Sequence, residues 1–145
     1  MRIAVQEAPF DLGAVSRDFA DGAAGAGAVV TFTGVVRGDG GMAAMEIEHY
    51  PGMTEKAIAA IAAQAVDRWS LVDALVIHRH GRLAVGEAIM MVATAAPHRA
   101  DAFAAAEFLM DYLKSRAPFW KKELSADGAT WVAAKDEDEA ALNRW

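Results

Sequence analysis

Apolar residues recur along the chain in two patterns, one with the period of a helix and one with the period of a strand. Alternating or continuously apolar segments predict strands at residues 2–5, 28–37, 45–50, 74–80 and 87–96. The last of these segments is apolar at nearly every position, which is typical of a strand with both faces covered. Spacings of three and four residues predict helices at residues 9–19, 54–69 and 99–115.

The two longer helices have recognisable ends. In the 54–69 helix, Thr54 is the expected N-cap and Glu55 is favourably placed in the first turn. Pro118 prevents the 99–115 helix from continuing much further. The residues of that helix expected to face the core are Ala102, Phe103, Ala106, Leu109, Met110 and Leu113.

The C-terminal part of the chain contains a hairpin signal. Residues 120–124 and 130–132 flank a turn at Asp127 and Gly128, and the acidic residues 136–145 could form a last helix. Strands and helices are therefore mixed without strict alternation, which predicts an α+β fold. A length of 145 residues is suited to one domain, spanning residues 1–145.

Composition narrows the class of function. A net charge of -6 and a pI near 5.1 argue against a protein that neutralises many nucleic-acid phosphates. The longest apolar run, residues 88–97, is about half the ~20 residues needed to span a bilayer. Gln6 and Glu7 interrupt the N-terminus before a signal-peptide core could form, so a cytoplasmic location is expected.

The chain has no cysteine. It therefore has no disulfide framework, no thiolate metal site and no cysteine nucleophile of its own. Any sulfur that this protein handles must come from another molecule.

A glycine-rich segment at residues 21–27 superficially resembles a phosphate-binding loop. A dinucleotide fingerprint follows a strand and opens a helix, whereas this segment leads into the strand predicted at residues 28–37. The context therefore disfavours nucleotide binding.

Basic residues are concentrated near the end of the 99–115 helix. Lys114, Arg116, Lys121 and Lys122 lie within nine residues that include no acid. Cations that share a pocket would attract phosphate, and their repulsion would lower a lysine pKa towards the range of a base or nucleophile. A solvated charged face is the alternative, and composition alone favours it.

Two further positions could bind an anion. His98 and Arg99 stand at the start of a predicted helix, where unpaired amides and the helix dipole favour negative charge. A capping pair without a ligand explains them equally well. Arg37 ends a predicted strand and is either a third phosphate contact or a surface charge.

Histidines and aromatic residues suggest weaker hypotheses. His78 and His80 would share one side of a strand, but no third ligand is suitably spaced, so no metal site is expected. Phe119, Trp120 and Trp131 flank the lysines and could wall a pterin-sized pocket, although such residues are more often core.

Several ordered segments together resemble the molybdopterin synthase catalytic subunit family along nearly the whole chain. These segments are residues 28–34 with Val36 and Arg37, residues 48–57, His78 and Arg79 with Gly81, residues 96–99, Ala102 and Phe103, residues 110–114, residues 117–123, Gly128, and Trp131 with Val132. So many matches in order are more specific than any single short motif.

The resemblance implies an α+β fold of mixed sheets with an α/β-hammerhead-like region and two main helices. It implies a homodimer that binds one small ubiquitin-like sulfur carrier at each end, forming a heterotetramer. The carrier's C-terminal Gly-Gly thiocarboxylate would enter the pocket of this subunit. The implied reaction converts cyclic pyranopterin monophosphate into molybdopterin by two sulfur transfers, with no cofactor and no metal on this subunit.

Residue by residue, Lys114 and Lys121 match the family's two important lysines. The resemblance implies that Lys114 engages the carrier's acyl terminus or a hemithioester, and that Lys121 assists proton transfer and stabilises negative charge. One departure is Val35, where some relatives have a lysine, so Val35 and Val36 could contact substrate only through the backbone. The substrate pocket implied comprises Val35, Val36, Arg37, His98, Arg99, Lys114, Lys121, Lys122 and Glu123, with Phe32 and Met110 as its walls.

Two rival hypotheses remain. A non-catalytic docking module would keep the carrier-binding surface without turnover, but it would not need both Lys114 and Lys121. A phosphate-ester enzyme that uses a lysine Schiff base would explain the basic cluster, but the partners that activate a carbonyl are missing.

Overall fold

The computed structural model describes all of residues 1–145 and has eight strands and four α-helices, which confirms the predicted α+β class. The strands are β1 (Arg2–Gln6), β2 (Ala28–Val35), β3 (Ala44–His49), β4 (Asp73–Arg79), β5 (Gly81–Ala84), β6 (Ala88–Ala96), β7 (Phe119–Ser125) and β8 (Gly128–Trp131). The helices are α1 (Leu12–Gly22), α2 (Met53–Trp69), α3 (Arg99–Arg116) and α4 (Asp136–Ala141), with a 3₁₀ turn at Leu142–Arg144.

The strands form two four-stranded sheets. The first sheet has the order β1-β4-β6-β2, in which β1 and β4 are parallel and the other pairs are antiparallel. The second sheet has the order β5-β3-β7-β8 and is antiparallel throughout. The predicted C-terminal hairpin is β7 and β8, with Ser125 opposite Gly128. The first sheet is therefore mixed, as the family resemblance implies, and the second is not.

Helices cover both faces of the first sheet. Alternate residues of β6 pack against α2 and α3 on one face and against α1 on the other, as Val92 and Met91 illustrate. Thr94, buried on the α3 face, donates from Oγ1 to the Ala102 carbonyl oxygen at 2.7 Å. The prediction that this strand is covered on both faces is confirmed.

Two helix starts differ from the sequence prediction. Helix α1 begins at Leu12, since Asp11 caps it by accepting from the Ala14 N–H at 3.0 Å. The prediction of Thr54 as an N-cap is wrong, because Gly52 at φ 83° is the cap and Thr54 is buried inside α2. The Thr54 hydroxyl instead donates to the Tyr50 carbonyl oxygen at 2.9 Å.

One other prediction fails because of packing, and one short strand was missed. Phe103 was expected in the core, but its side chain is 63% exposed, and the residues buried in its stead are Ala105 and Phe108. Strand β5 was not predicted, since four residues after a glycine are too few to show a period. None of the helices is long and apolar enough to cross a membrane.

Candidate active site

A cavity of about 660 Å³ lies where the two sheets meet the C-terminal end of α3. One wall comes from the end of β2 and the start of β6, another from β7, and a third from the chain after β8. Its polar and charged lining residues are Arg37, Asp39, His78, Lys114, Lys121, Glu123, Lys135 and Asp138. The structure thus gathers charged groups that are up to about a hundred positions apart in the chain.

Only two of the four cations in the predicted basic cluster face the cavity. Successive side chains of a strand point to opposite faces, so Lys121 faces the cavity and Lys122 faces away. Lys122 lies 3.4 Å from Glu48 Oε1, and its Nζ is 4.4 Å from the centre of the Trp131 ring. Arg116 binds both carboxylate oxygens of Glu139 at 2.7 Å. Of the four cations, only Lys114 and Lys121 line the cavity.

Lys114 and Lys121 reach the cavity from different elements. Lys114 comes from the last turn of α3 and is exposed, whereas Lys121 comes from β7 and is more buried. Burial lowers the pKa of Lys121, and the positive charge of Lys114 lowers it further, while Asp138 opposes the shift. The inner lysine is therefore closer to losing its proton than an ordinary surface lysine.

A bulge between Gly34 and Val35 sets the direction of the chain at the end of β2. Val35 and Arg37 line the cavity after it, and Arg37 also pairs with Asp39. Val36 is fully buried, its N–H donates to the Glu87 carbonyl oxygen and its own carbonyl accepts from Gly86. The structure thus places Val36 in the core, outside the cavity, with both backbone groups already bonded.

His98 and Arg99 lie at the opposite end of α3 from Lys114. Fifteen residues of helix separate Arg99 from Lys114, which corresponds to about 22 Å. Both residues are exposed, and the His98 side chain makes no capping hydrogen bond. A single chain therefore does not bring these two residues to the lysines.

The two predicted wall residues border a second, apolar groove of about 440 Å³ between β2 and α3. Phe32 lines only this groove, whereas Met110 lines both the groove and the cavity. The exposed Phe103 also lies here. The groove residues are Val30, Thr31, Phe32, Phe103, Ala106, Glu107 and Met110.

The aromatic residues near the lysines do not all line the cavity. Phe119 and Trp120 line the cavity, but Trp131 lies on the other face of the second sheet beside Lys122. His78 lines the cavity and stacks on Phe119, while His80 packs against His49 at 4.3 Å between ring centres. No group of three or more histidine or acidic side chains is arranged to hold a metal ion.

Several cavity residues could not be recognised in the sequence. His78 was considered as a possible metal ligand and as part of the family resemblance, but not as a site residue, and Asp39, Lys135 and Asp138 were not considered as site residues. Asp39 and Lys135 lie in irregular segments, which have no period to indicate their direction. The one available signal was charge, since Asp39 follows Arg37 by two residues and is its ion-pair partner.

The chain is similar to known proteins over its whole length. A family model described as "MoaE protein" matches residues 5–116. The molybdopterin synthase catalytic subunit of Cereibacter sphaeroides is 74% identical over 146 residues, covering 100% of both chains. The protein of the same name from Ralstonia nicotianae is 58% identical, covering 99% of this chain and 83% of its own. The solved MoaE protein from Burkholderia ambifaria is 53% identical with a TM-score of 0.83, covering 99% of this chain and 97% of its own.

Proposed function

This chain belongs to the MoaE protein family, and we propose on that premise that it is the catalytic subunit of a molybdopterin synthase. It converts cyclic pyranopterin monophosphate into molybdopterin by adding the two dithiolene sulfurs. The chain has no cysteine, so both sulfurs come from a partner. That partner is a small ubiquitin-like carrier with a C-terminal Gly-Gly thiocarboxylate.

The observation that carries this proposal is the convergence of Lys114 and Lys121 in one cavity. Its volume of about 660 Å³ lies within the range of small-molecule sites, roughly 300–1,000 Å³. Arg37 adds a cation that suits the substrate's phosphate. The site thus offers an anion contact together with two amines of different exposure.

The exposure of the two lysines supports a division of labour. Lys114 is exposed at the end of α3, so the incoming carrier tail meets it first, and its charge stabilises the acyl terminus or the hemithioester intermediate. Lys121 lies deeper, and its lowered pKa suits it to give and take protons at the reacting sulfur. The two glycines of the carrier tail have no side chains, which suits entry into a narrow cavity.

His98 and Arg99 contribute to the site through a second copy of the chain. In a two-fold homodimer whose axis passes through the apolar groove at right angles to α3, the two α3 helices run antiparallel. The α3 residues of the groove centre on Ala106 and Glu107. Antiparallel pairing about that point sets position 98 or 99 of one copy opposite position 114 of the other. Each pocket then receives its second anion contact from the other protomer.

The decisive experiment is anaerobic conversion of cyclic pyranopterin monophosphate by the purified chain with a thiocarboxylated carrier. Wild type is expected to form the dithiolene product, and Lys114→Ala and Lys121→Ala are expected to lose most of that activity. Lys122→Ala is the matched control, because Lys122 neighbours Lys121 in β7 but faces away from the cavity. Equal loss in all three variants would contradict a specific role for the cavity lysines.

Carrier binding and borohydride trapping, measured beside the conversion assay, separate the rival functions. Carrier binding without any product from wild type would support a docking module. A substrate adduct trapped on a lysine by borohydride would support the Schiff-base enzyme. Neither rival predicts that Lys114 and Lys121 are both required for dithiolene formation.

We also propose the cytoplasm as the compartment of this reaction. A chain without cysteine needs no oxidising environment for its fold. Fractionation of cells that produce a tagged chain should recover it with the cytosolic markers, and recovery with periplasmic or membrane markers would contradict the proposal.

A further inference from the structure

His78 lies at the end of β4, opposite Met90 of β6, on the face of the first sheet that meets the cavity. The residue is only 6% exposed, and its ring stacks on Phe119 with 3.7 Å between centres and 16° between planes. Phe119 and Lys121 are two residues apart on the same face of β7. The Lys121 side chain therefore leaves its strand next to the His78 ring.

The hydrogen bonding of His78 fixes its tautomer. Nδ1 lies 2.8 Å from the Arg79 carbonyl oxygen, which only accepts, so Nδ1 carries the proton. Nε2 then has a free lone pair, and no group of the chain donates to it. This nitrogen belongs to a side chain that lines the cavity, so it is available to a donor there.

The surroundings keep the ring neutral. Burial, first of all, lowers the pKa of His78 to about 4, and the hydrogen bond to Arg79 only partly opposes this. Lys121 from β7, His49 from β3 and the neighbouring His80 add to the lowering. Around Lys121 itself stand Lys114, Lys135 and Asp138. At neutral pH the cavity thus contains an uncharged acceptor, and the charged groups around Lys121 are two cations and one acid.

We propose that His78 is a positioning residue, whose Nε2 accepts a hydrogen bond from Lys121 Nζ when substrate occupies the cavity. The inference rests on the proposed function and adds to it a group that orients the inner amine. The lysine ammonium stands on a flexible four-carbon stem, so an acceptor that fixes its end removes conformations that do not lead to reaction. A neutral acceptor does this without holding the lysine in a salt bridge.

The test compares two amides that replace different nitrogens of the ring. In His78→Gln the amide oxygen reaches the position of Nε2, whereas in His78→Asn the shorter amide reaches only the position of Nδ1. We expect kcat for dithiolene formation to fall roughly tenfold in the Asn variant, the effect of one lost hydrogen bond. The Gln variant should stay within about threefold of wild type, and KM for the pterin substrate should change little in both.

A double-mutant cycle separates positioning from packing. If His78 acts through Lys121, His78→Asn should lower kcat no further in a chain that already has Lys121→Ala. Thermal unfolding without substrate checks that the variants are folded, and His78→Leu replaces the Asn variant if the latter is not. Equal losses in Gln and Asn, or a full additional loss in the Lys121→Ala background, would overturn the positioning role.

The wild-type protein in the same assay tests the premise. Product from wild type, together with the Gln and Asn difference, supports both the function and the role of His78. Product from wild type without that difference removes only the role of His78. Absence of product with a bound carrier overturns the proposed function and this inference with it.

Discussion

The ring of Phe119 lies nearly parallel to that of His78, with 3.7 Å between their centres. Because His78 belongs to β4 and Phe119 to β7, the stack joins the two sheets beside the cavity. A charge on this buried ring would lose its hydration, so protonation of His78 should weaken the junction.

Acid should therefore weaken the fold through His78. Its pKa is lowered from 6.5 to about 4, so the unfolded chain binds a proton at a higher pH than the folded chain does. The stability contribution is fully present above pH 6.5 and is lost as the pH falls towards 4. The loss is on the order of 3 kcal/mol. Chemical denaturation of wild type and His78→Gln at several pH values measures it as a difference between the two proteins.

The control for this difference is His98→Gln, which changes an exposed histidine. It should lose stability with falling pH in parallel with wild type. If His78→Gln also runs parallel to wild type, the buried imidazole is not the source of the acid sensitivity.

The pKa of Lys121 should rise when Lys114 is replaced by methionine. The positive charge of Lys114 is the second cause of the lowered pKa, after burial, and methionine removes that charge from a side chain of similar length. An NMR titration of the Lys121 side chain measures the change directly. Lys122→Met is the control, since its charge is directed to Glu48 and Trp131 on the other face of β7. A rise of equal size in both variants would show that the effect is not local to the cavity.

Gly27→Ala should destabilise the protein by roughly 1–3 kcal/mol. A Cβ at Gly27 would overlap the carbonyl oxygen of Pro97, because the two chain segments are in backbone contact where β2 begins and β6 ends. Urea unfolding provides the free energy. Gly22→Ala is the matched control: a Cβ there meets nothing within 4 Å, and the residue ends helix α1, so a neutral or slightly stabilising effect is expected.

The sequence predicts the elements better than it predicts the site. The long helices and the apolar strand β6 were found because their periods extend over many residues. Phe103 fits the helical period of α3 equally well, yet it is exposed, because a period indicates a face and not whether another element covers it. The exposed face of α3 is the same one that the proposed dimer covers.

For the two lysines of β7, the sequence predicts that they face opposite ways but not which of them faces the cavity. Lys121 and Lys122 are adjacent, and once β7 is known to be a strand, alternation alone says that they face opposite ways. Which of the two faces the cavity depends on the packing of the second sheet against α3, which no local pattern contains. Likewise the wall formed by Lys135 and Asp138 depends on the path of the chain after β8, where residues 132–135 are irregular and have no sequence period.

The separation of Arg99 from Lys114 leads to the last prediction, a complementation between two inactive proteins. Arg99→Ala and Lys114→Ala should each reduce dithiolene formation strongly when alone, since each homodimer has two defective pockets. If a pocket takes Lys114 from one protomer and Arg99 from the other, a mixed dimer has one pocket in which both residues are intact.

Random exchange of an equal mixture makes half of the dimers mixed, with one of two pockets restored in each. Activity should then return to about a quarter of the wild-type value. The measurement is dithiolene formation after refolding or co-expressing the two variants, with light scattering to establish that dimers have formed. Lys114→Ala mixed with Lys121→Ala is the control. These two residues line one cavity of the same chain, so no pocket of a mixed dimer has both lysines intact. Recovery in the control, or its absence with Arg99→Ala, would show that the two protomers do not share the site in this way.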